Sequence, residues 1–180
     1  MKFDEHGNRI RSIQSPTDNV RYSKNKVSLE QNVRFITKGK KRIAIVGASE
    51  RKVRPSKIDS YNRIESILKR NGCDANNCVI VSGHSPAGGI DIWAENIARQ
   101  KNIPTDIYPA KVNNISGFYA RNKQIANNSD ILYNIVVKSP NSYCNHLKTY
   151  GHIQSGGCMT QKEAQKKGVK TNLELVERGV

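Results

Sequence analysis

The stretch Val79–Ala98, VIVSGHSPAGGIDIWAENIA, decides the fold. Its apolar start, through Val81, predicts a short buried strand that yields at Ser82-Gly83 to a loop of small residues. From Gly89 to Gln100 the spacing turns helical, with Ile90, Trp93, Ala94, Ile97 and Ala98 on one apolar face. Trp93 therefore reads as core. A strand that ends in glycines and feeds a helix is a ready anion site. The N–H groups of the first helical turn lack intrahelical partners, and the helix dipole favours negative charge there. Gly83, Gly88 and Gly89 allow close backbone approach and positive φ. The same residues serve equally well as a tight turn without a ligand, and a lone glycine loop does not separate the two readings.

Upstream, RIAIVGAS from Arg42 is a compact apolar run ending at Gly47, the pattern of a buried parallel strand. A basic loop, SERKVRPSK, follows. A helix is then predicted from Ile58 to Arg70, with Ile58, Tyr61, Ile64, Ile67 and Leu68 on one face and Asn71-Gly72 as its stop. Downstream come a strand at Pro104–Tyr108, a helix in FYARNKQIANN, a strand in ILYNIVV and a polar stretch from Lys138 to Ser155. Gly156-Gly157 open a last helix, CMTQKEAQKKG, and VKTNLELV makes a fifth strand. This alternation predicts an α/β, Rossmann-like three-layer domain over residues 41–180, with a mainly parallel five-stranded sheet. Ligands bind such sheets outside the carboxyl ends of the strands.

Residues 1–40 differ in composition. They are polar and basic, and a flexible extension is expected, in which Val27–Ile36 has the makings of a short element. Across 180 residues, Lys+Arg of 30 against Asp+Glu of 15 gives a net charge of +15, which points to an anionic partner, nucleotide or nucleic acid. A hydrophobic content of 36% and a mean hydropathy of −0.66, without a span-length apolar run or a signal-peptide core, predict a cytoplasmic protein with no membrane partner. Four cysteines in such a chain are read as thiols or metal ligands, not as a disulfide framework. Cys73 and Cys78 fit no common zinc spacing.

A first strand ending in GAS, SGHSPAGGID before a helix, and ARN in the third helix resemble the SLOG superfamily, especially its YspA/YpsA-like branch. That superfamily also holds the LOG phosphoribohydrolases and the DNA-processing protein A family. The resemblance spans roughly residues 42–177. It implies that Gly47, Ala48 and Ser49 lie near the base or ribose of a nucleotide, and that Ser82, Gly83, Gly88 and Gly89 cradle phosphate. Arg121 and Asn122 match the family's Arg-Asn pair, where a guanidinium can hold phosphate bidentately. Ser155, Gly156, Gly157 and Thr160 resemble the second glycine signature, PGGxGTxxE in LOG enzymes. Here the run is SGGCMTQKEA, without the leading proline, which favours binding over LOG-type cleavage. Family members often form dimers, so a homodimer is a candidate assembly.

Two catalytic candidates stand at the same mouth. Asp91 matches the acidic residue that follows the loop in SGxxxGxD members, and Glu95 lies one helical turn later, where a helix of this amphipathic type predicts a surface carboxylate. Arg51, beside Lys52 and Arg54, follows the first loop, and His84 sits inside the second. The expected function is binding of a nucleotide or nucleotide-derived phosphorylated ligand. An N-glycosidic or phosphoribosyl hydrolase and a nucleic-acid binder are the alternatives.

Between the fourth strand and the last helix, Cys144, His146, His152 and Cys158 read C-x-H-x5-H-x5-C. Two thiolates and two imidazoles suit tetrahedral zinc, and a metal there would order a polar loop. Four unrelated residues would give the same letters.

Overall fold

The computed structural model describes residues 39–177. Nearly all of the expected basic extension, including Val27–Ile36, lies outside the described residues.

In chain order the elements are β1 (Lys41–Gly47), α1 (Glu50–Val53), a 3-10 turn (Arg54–Ser56), α2 (Lys57–Arg70), β2 (Cys78–Ser82), α3 (Ile90–Gln100) and β3 (Thr105–Ile107). They are followed by α4 (Ile115–Asn127), β4 (Ile131–Cys144), β5 (Thr149–His152), α5 (Gly156–Lys166) and β6 (Lys170–Val176). Five strands run parallel in the order β3-β2-β1-β4-β6. The chain steps outward from β1 to β3, then returns to place β4 on the other side of β1. That reversal opens a crevice beyond Gly47, between the ends of β1 and β4, where α/β sheets take their ligands.

Alternation along β1 explains the layers. Ile43 and Ile45 face Ile64 and Ile67 of α2 and Trp93 and Ile97 of α3. Ala44 and Val46 face the opposite way, against Ile125 of α4 and Ala164 of α5. Each aliphatic side chain buried this way contributes about 1.5–3 kcal/mol of transfer free energy. Trp93 is core as expected, 5.4 Å from the Tyr61 ring. Ile58, in the first turn of α2, lies off the packed face and is 80% exposed.

Three expectations need correction. The basic loop after β1 is helical, forming α1 and the 3-10 turn with Pro55 at the turn's start. The polar stretch after Val137 is largely a hairpin: β4 continues to Cys144 past a register shift between Ser139 and Tyr143, and β5 pairs antiparallel with it. The sheet therefore has six strands. Neither hairpin arm carries an apolar alternation, so periodicity does not announce it. Finally, Glu95 is 3% exposed, not a surface carboxylate.

Candidate functional site: a cleft at the end of β1

The crevice contains a cleft of about 80 Å3. Its lining comes from Val46, Gly47, Ser49 and Lys52 after β1, from Ser85 and Asp91 after β2, from Arg121 of α4, and from Ser155, Gly156, Gly157 and Thr160 at α5. Two wider hollows, of about 270 and 300 Å3, lie beside α4 and between α3 and β3. Volume does not pick the site. The smallest hollow is where a buried acid, a buried base and the first turn of a helix meet.

Arg121 is 8% exposed, and its guanidinium donates through Nε and Nη2 to Asn122 Oδ1 at 3.3 and 3.2 Å while lying over the Phe118 ring. It forms no ion pair among the described residues, so a desolvated cation borders the cleft with bonding capacity to spare. Asp91, 6% exposed, lies within the electrostatic reach of Arg121. Burial raises its carboxyl to a pKa of about 6, and the positive field of Arg121 and a bond from the Gly47 N–H only partly offset that rise. Opposite them, Gly156 and Gly157 open α5, where N–H groups have no intrahelical acceptor. Gly157 has to be glycine: a Cβ there would run into Asn134 Oδ1 and come within 2.7 Å of Gly47 Cα. Lys52 Nζ donates to the Gln154 carbonyl at 2.6 Å, bracing α1 against the loop before α5.

The cleft thus gathers eight of the residues read from sequence: Gly47, Ser49, Asp91, Arg121, Ser155, Gly156, Gly157 and Thr160. Lys52, Ser85 and Val46 join them. Lys52 belongs to the basic run Arg51, Lys52 and Arg54 after the first strand, and of these three it is the one that lines the cleft. Arg51 is exposed and outside the cleft.

The glycine loop after β2 behaves differently. The Ile90 N–H donates to the Ala48 carbonyl at 3.2 Å, the Gly88 N–H to Ser85 O at 3.0 Å, and the His84 N–H to Ser82 Oγ at 3.2 Å. Gly89, at φ +91°, packs its backbone onto the Ala48–Glu50 turn. These donors are consumed by protein, so Ala48, Gly88 and Gly89 are parts of a closed junction. Gly83 is buried beneath Arg121: a Cβ there would sit 3.1 Å from Arg121 Cδ and Nε. Asn122 orients Arg121 without lining the cleft.

Below that loop Glu95 accepts from Ser82 Oγ at 2.6 Å and meets His84 Nδ1 at 2.8 Å. His84 holds a left-handed φ of +47°, rare without glycine, and its side chain is 55% exposed. A buried carboxylate thus fixes the orientation of a solvent-facing imidazole next to the cleft.

The Cys/His loop resolves into three residues, not four. Cys144, His152 and Cys158 are fully buried and close together. His146 points its Nε2 to Gln154 Nε2 at 3.2 Å instead, because Gln154 clips the hairpin turn by also accepting from the Asn145 N–H. Cys73 and Cys78 form a separate pair, in which burial and the neighbouring Cys78 push Cys73 up to about 12. Among the described residues no helix is long and apolar enough to cross a membrane. Compared with known proteins, the chain matches no family model, no curated protein and no solved structure.

Proposed function

We propose that the cleft binds the phosphate of a nucleotide or nucleotide-derived ligand, as the SLOG resemblance implies. The observation that carries this reading is Arg121, a buried guanidinium with no ion pair among the described residues, which lines the same cleft as the Gly156-Gly157 start of α5. A buried cation is costly unless something anionic meets it. The Gly156 and Gly157 N–H groups at the start of α5 add helix-terminal donors to the same cleft. At about 80 Å3 the cleft takes a phosphoryl group, not a whole nucleotide, for which sites of about 300 Å3 or more are usual. The remainder of the ligand extends past Arg121, which also borders the 270 Å3 hollow beside α4. A panel of nucleotides, sugar phosphates and short DNA, read by thermal shift, tests the class. Stabilisation by a nucleotide that survives added salt supports a pocket. DNA binding that falls steeply with salt, with no nucleotide response, sinks this reading in favour of a phosphate-backbone binder.

A second reading, hydrolysis of an N-glycosidic or phosphoribosyl bond, is favoured by one observation. Asp91, poised near pH 6, and the Glu95-oriented His84 supply acid/base groups beside the phosphate cleft. Chromatography of the stabilising nucleotide after incubation distinguishes the two. Free base released by the wild-type chain and not by Asp91→Asn supports cleavage, and an intact ligand supports binding alone.

A further inference from the structure

We propose that Cys144, His152 and Cys158 hold one zinc ion, which ties the β4–β5 hairpin to the first turn of α5. The three residues come from three elements, the end of β4, the end of β5 and the third residue of α5. Each is 0% exposed, and one ligand atom from each lies within 4.8 Å of the others. Cys158 Sγ stands 3.5 Å from His152 Nε2. A tetrahedral ion with Zn–S of about 2.3 Å and Zn–N of about 2.05 Å sets that edge at about 3.6 Å. The pair is already spaced for it.

Two further features favour a metal over a chance cluster. Among the described residues His152 Nδ1 is buried with no hydrogen-bond partner, and Nε2 meets only the Cys158 thiol, a weak contact for an imidazole wholly out of water. Bound through Nε2, a zinc ion would replace that weak thiol contact with a metal–nitrogen bond and leave Nδ1 to carry the ring proton. The hairpin also has little apolar material of its own: among the described residues the cluster around the two thiols holds Val136, with Leu147 and Leu173 at its edge. Thiolate and imidazole donors select zinc over magnesium or calcium. Three protein ligands leave the fourth position to a small donor such as water. Metal binding here is independent of the phosphate reading, because it is measured with no phosphate ligand present.

The test is metal content of the purified full chain, followed by cobalt(II) substitution. Expected are about one zinc per chain and a thiolate-to-cobalt charge-transfer band. Both should be lost in Cys144→Ser and Cys158→Ser and kept in the Cys73→Ser/Cys78→Ser double variant. If a single variant fails to fold, thiol labelling of the wild-type chain answers instead. Two thiols shielded by zinc and released by a chelator support the site. A wild-type chain without zinc or a cobalt band overturns it, as does a Cys144–Cys158 disulfide or loss of metal in the Cys73/Cys78 variant.

Discussion

Two glycine runs in this chain lead into helices and look alike as letters: Gly88-Gly89 before α3 and Gly156-Gly157 as the first two residues of α5. Their surroundings are opposite. At α3 the first-turn donor is taken by the Ala48 carbonyl, and the glycines exist so that two backbone segments can touch. At α5 the first turn lines a cleft with a buried arginine across from it. A glycine pair signals that something comes close to the backbone. Whether that something is protein or ligand depends on a partner far away in sequence, here the turn after β1 for one pair and Arg121 for the other.

Substitution at the two pairs should separate them most sharply. Gly89→Ala forces a Cβ against Ala48 O and to 2.5 Å from Glu50 N, at a φ of +91°. The combined overpacking and backbone strain should cost about 3 kcal/mol or more of folding stability. Gly156→Ala meets nothing within 4 Å and should leave stability within about 1 kcal/mol, or raise it slightly through helix propensity. Denaturant unfolding of both variants checks this. Equal losses would mean that the α5 turn is as closed as the α3 turn.

Asp91 offers the next effect. Its folded pKa of about 6 lies above the unfolded value of 3.8, so the native state holds the proton more tightly. Stability contributed by this group is full below the unfolded value and falls as pH rises through about 6, by up to about 3 kcal/mol. Asp91→Asn should therefore be more stable than wild type at pH 8 and gain nothing at pH 4. The same ionisation places a negative charge in the cleft, so affinity for an anion should fall as pH rises past 6. An unfolding profile for Asp91→Asn parallel to wild type across that range would show that Asp91 is not held protonated.

Smaller still is the change expected at Glu95. Glu95→Gln exchanges an acceptor for a donor beneath Ser82 and His84, losing at least one buried bond worth about 1–3 kcal/mol. Amide exchange at residues 82–85 should quicken while the α5 turn stays protected. Unchanged exchange would mean that the β2 loop is fixed by its backbone contacts alone.

The five parallel strands were legible because apolar runs such as RIAIVG and ILYNIVV have no other stable use in a chain this polar. The burial of Glu95 was not, although a trace existed. With Ile90, Trp93, Ala94, Ile97 and Ala98 all facing inward, only Ile92, Asn96 and the last turn remain for solvent, and Asp91 and Glu95 fall between those apolar positions. What compensates Glu95 is Ser82 and His84, partners that only the folded turn brings beneath α3. Likewise Cys144 and His152 are brought within reach of each other by a hairpin whose arms, KSPNSYC and TYGH, carry no strand periodicity. His146 lies in the hairpin turn beside Gln154, whereas His152 ends β5 and is fully buried.

The measurement that tests the cleft most directly is calorimetric titration of the full chain with pyrophosphate, wild type against Arg121→Ala, at one pH and one salt concentration. Removing a charged hydrogen bond worth about 1.5–3 kcal/mol should weaken binding by roughly 10- to 150-fold, with folding intact by circular dichroism. Equal affinity in the two chains would contradict the account, because it would leave the buried guanidinium with no part in holding the anion.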